Sequence, residues 1–145
     1  MHPISVCIIA KNEEARIEKC LASIKPYGFE IVVVDTGSTD RTKEIASKYA
    51  DKVLDFAWCD DFSAARNFSL RNASNNWIFM IDCDEVIKEI NVEELNYFRK
   101  HLAENVGSVS RENLTTENGV LTLNNIDYTE RFFNRKLYHY TGIIH

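Results

Sequence analysis

Apolar and polar positions along the chain come in alternating blocks. Ile4-Ser5-Val6-Cys7-Ile8-Ile9-Ala10 is a short, nearly continuous apolar run that breaks at Lys11-Asn12-Glu13-Glu14. A run of this length, rich in β-branched residues, predicts a strand buried on both faces. Ile17, Cys20, Leu21 and Ile24 follow at three-and-four spacing, which predicts a helix opening near Asn12, with Asn12 as N-cap and Glu13 and Glu14 at its positive end. Lys25-Pro26-Tyr27-Gly28 stops that helix. The alternation then repeats: a strand over Glu30 to Asp35, a loop Thr36-Gly37-Ser38-Thr39, and a helix capped around Asp40 with Thr42, Ile45, Ala46 and Tyr49 aligned. A shorter strand, Val53 to Phe56, precedes a helix from about Asp61 to Asn72, and Trp77-Ile78-Phe79-Met80-Ile81 makes a fourth strand. Continuous apolar runs separated by helices predict an α/β fold with a mainly parallel sheet between two helical layers.

After Asp82-Cys83-Asp84 the pattern changes. Asn91 is placed to cap a helix bearing Leu95, Phe98 and Leu102, and strand-like segments follow. Asn118-Gly119 suits a tight hairpin turn between Val109 to Thr115 and Val120 to Leu123, and Thr129 to Tyr140 reads as a further extended stretch. The last residues, Thr141-Gly142-Ile143-Ile144-His145, are apolar with no polar tail, so the expectation is a fragment of a longer chain.

Composition narrows the class. At 145 residues, with 45% hydrophobic positions, eight Phe, six Tyr and two Trp, the chain has the material for one domain with a sizeable core, and disorder is excluded. The net charge of −5, from 17 basic and 22 acidic residues, gives no support for a nucleic-acid partner, whose phosphates call for a basic face. Cys7, Cys20, Cys59 and Cys83 form no CxxC pair and read as free thiols in a reducing, cytoplasmic compartment. Ile4 to Ala10 is too short for a signal peptide or a membrane span.

In an open parallel sheet, ligands bind beyond the carboxyl ends of the strands, where helix N-termini also point. Lys11, Asn12 and Glu13 follow the first strand, Asp35 ends the second, and Asp82 and Asp84 follow the fourth, so separate segments converge on one edge. If the fourth strand stays extended, Asp82 and Asp84 face the same side. Two carboxylates about 4 Å apart repel by roughly 4 kcal/mol at an effective dielectric of about 20, a cost that a hard divalent cation removes. The plainer reading is that these acids cap a turn, and the same holds for Asp40 as an N-cap. Asp35 can accept hydrogen bonds from a ribose or base. Arg66, beside Ala64, Ala65 and Asn67, is either a diphosphate contact or a solvated helix residue.

Four ordered stretches resemble the successive motifs of family 2 glycosyltransferases of the GT-A fold. They are Ile8-Ile9-Ala10-Lys11-Asn12-Glu13-Glu14, Val33-Val34-Asp35-Thr36-Gly37-Ser38-Thr39-Asp40-Arg41-Thr42, Phe62-Ser63-Ala64-Ala65-Arg66-Asn67 and Ile81-Asp82-Cys83-Asp84-Glu85. The resemblance covers about Pro3 to Val86. It implies a Rossmann-like three-layer α/β/α fold with a C-terminal β extension, residues 1–86 forming a nucleotide-binding core and 87–145 the start of an acceptor-side region. It implies a nucleotide-diphosphate-sugar donor, UDP-linked, and inverting transfer to an acceptor that is a saccharide, lipid or protein. By similarity, Ala10, Asn12, Glu13 and Asp35 surround base and ribose, Arg66 and Asp82 lie near ribose and diphosphate, and Asp84, with Asp82, holds Mn²⁺ or Mg²⁺. One departure is Thr36, where many members carry a second acid, which bears on the base contact.

Glu130 through His145 is similar to a region that in a subset of these enzymes ends in His followed by Glu. Inverting transfer needs a general base near the acceptor, and Asp127, Glu130 and His145 are the candidates, each with an ordinary structural reading as an exposed polar residue. Two other functions fit some of the residues. Met80-Ile81-Asp82-Cys83-Asp84-Glu85-Val86 fits the DxDxV nucleophile motif of haloacid-dehalogenase-type phosphatases, which also need a downstream Lys and further acids. A non-catalytic nucleotide-sugar-binding module would keep the same cleft.

Overall fold

A computed structural model describes residues 2–141. Its core is a six-stranded sheet built from β1 (Ile4–Ala10), β2 (Glu30–Asp35), β3 (Lys52–Asp55), β4 (Trp77–Met80), β5 (Gly107–Glu117) and β6 (Val120–Asn134), in the order β3-β2-β1-β4-β6-β5. The first four strands are parallel, and β6 joins β4 antiparallel with β5 hairpinned to its outer side. Helices α1 (Ile17–Ile24), α2 (Thr42–Ala46), α3 (Phe62–Asn72) and α4 (Val92–His101) cover the faces.

The period of two along each strand decides which residues meet which layer. Ile4, Val6, Ile8 and Ala10 of β1, Ile31 and Val33 of β2, and Trp77 and Phe79 of β4 pack with Ile17, Cys20, Leu21 and Ile24 of α1, Ala46 of α2, and the partly buried Leu95 and Phe98 of α4. Cys7, Val32, Ile78 and Met80 point the other way, onto Leu70 and Ala73 at α3. The result is the expected α/β/α sandwich. Phe132 and Phe133 extend the two layers into β6: Phe132 lies 5.0 Å from Trp77 and 5.8 Å from Phe98, centroid to centroid, and Phe133 joins the α3 side.

Several boundaries differ from the sequence expectation for identifiable reasons. Asn12 is not a helix cap. It adopts a left-handed conformation (φ 52°), and its Oδ1 accepts from the Thr39 N–H at 2.8 Å, so the loop after β1 is stitched to the loop after β2 and α1 starts only at Ile17. Asp40 sits one residue before the α2 N-cap, Arg41, and accepts from the Thr42 hydroxyl and from the Thr42 and Glu14 amides, which holds its carboxyl below the usual range. Strand β4 stops at Met80, so Asp82 and Asp84 lie in a turn and not on an extended strand. The extended stretch expected over Thr129 to Tyr140 is the end of β6 as far as Asn134, followed by a turn. Asn91 caps α4, as its spacing predicted, and Asp61, expected only as the approximate start of α3, is its N-cap. Asn118 and Gly119 both take positive φ (52° and 78°), the twist a two-residue hairpin requires.

Candidate active site

Strands β1 and β4 are neighbours whose crossovers leave in opposite directions, β1 through α1 and β4 from α3, which opens a crevice at their carboxyl ends. The crevice holds a cleft of about 420 Å³ lined by Ile9, Ala10, Lys11, Glu13, Thr36, Trp58, Phe62, Arg66, Asp82, Cys83 and Asp84. Of the residues singled out in the sequence, Ala10, Glu13, Arg66, Asp82 and Asp84 line it. Asn12 and Asp35 do not: Asp35 is 2% exposed, and its oxygens accept from Gly37 N–H, Ser38 N–H and Ser38 Oγ in its own loop. Thr36 stands in the cleft wall instead, its amide bonded to Ala10 O at 2.9 Å.

Several lining groups are held in place. Trp58 packs edge-on to Phe62 at 4.8 Å. The Arg66 guanidinium lies over the rings of both Phe62 (5.6 Å) and Tyr140 (5.2 Å), and its Nη2 is 4.0 Å from Asp82 Oδ1. An aromatic sandwich restricts the side chain while leaving its charge available to an anion. Tyr140 is fixed in turn, because the Asn67 amide bonds both its N–H and its C=O (2.9 and 2.8 Å). Glu13 Oε2 is screened from solvent and accepts no hydrogen bond, although Arg16 Nε lies 2.9 Å away as an ion pair.

The Asp82-to-Glu85 turn is closed by its own bonds. Glu85 N–H donates to Asp82 O at 3.0 Å, and Asp82 N–H donates to Glu85 Oε1 at 2.8 Å. Cys83 turns inward, its thiol on Ile9 O, and burial pushes its pKa up. Asp84 is exposed at the cleft. The donor set fits a hard divalent cation: Asp84 offers carboxylate oxygens, while Asp82 is shared with arginines on both sides. Among the described residues no group of three or more His, Cys, Asp or Glu side chains could hold a metal alone. A cation at Asp84 therefore needs oxygens from a ligand or water.

A second hollow of about 390 Å³ shares Arg66 and Asp82 with the first and is otherwise lined by Met80, Tyr128, Thr129, Glu130, Arg131 and Tyr140. Of the candidate bases, Glu130 lies here. Asp127 is clamped by Arg111 (3.0 and 2.8 Å), which holds its carboxyl below the usual range, and Asn113 adds a third bond. His145 lies outside the described residues. Trp58, Tyr140 and Arg131 went unnoticed as site residues in the sequence, since no local pattern connects them to the Asp82 turn.

Comparison with known proteins identifies the family and the fold. The family model for glycosyl transferase family 2 matches residues 5–144. An uncharacterized glycosyltransferase of Rickettsia bellii is 38% identical over 94 residues, 65% of this chain and 32% of its own length. The glycosyltransferase SunS of Bacillus subtilis is 40% identical over 92 residues, 61% of this chain and 22% of its own. The chain thus spans about a fifth to a third of these relatives. Among solved structures, S. aureus TarS in complex with UDP-GlcNAc superposes with a TM-score of 0.61 at 26% identity, covering 70% of this chain and 32% of that one. Glucosyl-3-phosphoglycerate synthase of Mycobacterium tuberculosis, in complex with Mn²⁺, UDP and phosphoglyceric acid, gives 0.52 at 32% identity, covering 57% and 33%. The chain belongs to glycosyl transferase family 2.

Proposed function

We propose that this chain is the donor-binding part of a glycosyltransferase that takes a UDP-linked sugar and transfers it, with inversion, to an acceptor bound on the side of the second hollow. The observation that carries the reading is the convergence of Ala10 and Glu13 after β1, Arg66 on α3 and Asp82 and Asp84 after β4 on one cleft. The relatives' UDP and UDP-sugar complexes support the choice of donor.

Each group then has a task. Ala10, Thr36 and Trp58 wall the nucleoside end, and Glu13, in the same wall, takes a ribose hydroxyl. Asn12 and Asp35 act indirectly, by bracing the loops that carry those contacts. Arg66, oriented by two rings and Asp82, meets the diphosphate. Asp84, with Asp82 beside it, would hold Mn²⁺ or Mg²⁺, which when bound neutralises charge building on the departing diphosphate. Glu130 is the candidate base by position, since it lines the hollow next to Asp82. A cytoplasmic location rests on the four unpaired cysteines, three of them buried. The phosphatase reading loses its support to the family match.

A donor screen by thermal shift, with and without Mn²⁺, tests the reading. UDP-sugars are expected to raise the melting temperature with Mn²⁺ and much less without it, since a ligand of the native state stabilises by mass action. No shift with any nucleotide sugar would overturn it. A shift without any transfer in the full-length protein would favour the non-catalytic binding module.

A further inference from the structure

Arg131 stands at an irregularity in β6. Gly107 of β5 pairs with Phe132 while the next residue, Ser108, pairs with Glu130, so Arg131 is the extra, unpaired residue of a β-bulge. Bulges re-aim a side chain, and this one sends Arg131 inward to 11% exposure beneath the Asp82-to-Glu85 turn. There Nε donates to Thr129 Oγ1 (3.1 Å), Nη1 to Met80 O (3.2 Å) and Glu85 Oε1 (2.8 Å), and Nη2 to Glu85 Oε2 (3.1 Å) and Asp82 Oδ2 (3.4 Å). A guanidinium has five N–H donors, and all five are engaged. None is left for a ligand, so Arg131 can affect the cleft only through the groups it holds.

We infer that Arg131 is a positioning residue for donor binding, acting with Glu85 to hold the turn that points Asp82 at Arg66 and presents Asp84 to the cleft. The inference rests on the donor reading above. The two acids it bridges are fixed differently: Glu85 by a two-pronged pair, Asp82 by one oxygen, leaving the other toward Arg66. Lysine, with one charged nitrogen, cannot span Met80 O, Glu85 and Asp82 together.

Calorimetric titration of the protein with UDP in Mn²⁺, well below each variant's melting temperature, tests this. Arg131→Met and Arg131→Lys are each expected to weaken UDP binding about 10–100-fold, the usual cost of losing a group that orients a ligand-holding carboxylate. Glu85→Gln is expected to weaken it too, and the Arg131→Met, Glu85→Gln double variant to be no worse than Arg131→Met, because both break one clamp. Lys88→Met, which cuts a separate tie to the hairpin at Glu112, is expected to leave affinity unchanged. Wild-type affinity in Arg131→Met overturns the inference, and so do losses that multiply in the double variant, the mark of a direct guanidinium contact. If Arg131→Met does not fold, Arg131→Lys and Glu85→Gln carry the test. Absence of UDP binding in the wild type would instead remove the donor reading; the clamp is then read by hydrogen exchange at the Asp82 amide, expected to quicken in Arg131→Lys and, if unchanged, refuting the clamp.

Discussion

Strands β1, β2 and β4 bury side chains on both faces, whereas the β5–β6 hairpin beyond them leaves Leu114, Val120, Leu121, Leu123, Ile126 and Tyr128 exposed. The parallel strands are short and covered, and the hairpin is long and uncovered, yet both belong to one sheet. The hairpin joins the core through three residue pairs, Trp77 with Asn134, Ile78 with Phe133 and Phe79 with Phe132. Its own irregularities show two different uses of one device. At Arg131 a bulge drives a charge inward to the Asp82 turn; at Asn124, where pairing steps from Asn113–Asn125 to Leu114–Leu123, a second extra residue brings Leu121 and Leu123 onto the face that carries Ile126 and Tyr128. The base of the hairpin thus belongs energetically to the core, and its outer half does not.

The largest effect expected from that division is at the seam. Phe132 is 1% exposed among Trp77, Phe79 and Phe98, and Phe132→Ala should cost about 3–5 kcal/mol in urea unfolding. A cost under about 1 kcal/mol would show that β6 is not integral to the core. Alkaline pH should come next. Burial pushes the Cys7 and Cys20 thiols up to about 12. Their raised folded values mean the stabilisation is complete below the ordinary thiol range, near pH 9, and is lost as pH rises toward 12. Unfolding followed from pH 8 to 11 should show stability falling above pH 9, and Cys7→Ser should flatten that fall.

Asp61→Ala removes the side-chain cap on the Ser63 and Ala64 amides in the first turn of α3 and should cost about 1 kcal/mol by chemical denaturation. Because α3 carries Arg66, donor affinity should fall with it. Leu121→Ala, at a position 68% exposed on the outer hairpin, should change stability by no more than about 0.5 kcal/mol. A large loss there would mean that the outer hairpin is covered.

The parallel half was the more legible in sequence. β1 and β2 run over the residues expected because burial on both faces imposes an unbroken apolar run. Asn91 and Asn118-Gly119 were readable because caps and tight turns act through residues two or three apart. Two of the failures are long-range and one is local. Asn12 looked like a cap, but its side-chain oxygen is claimed by the Thr39 N–H, 27 positions on. Asp35 looked like a ligand-facing acid, but nothing in the strand pattern announced that its own loop would consume its oxygens. Arg131 meets Glu85 across 46 positions and through a bulge, which alternation of apolar and polar residues does not encode.

The most direct test of the donor cleft is calorimetric titration of UDP into the wild type and Asp84→Ala, each with and without Mn²⁺. The geometry predicts binding in Mn²⁺ that weakens at least tenfold, about 1.4 kcal/mol, when either the metal or the Asp84 carboxylate is removed, with no further loss when both are. Affinity that is equal in all four titrations would contradict it.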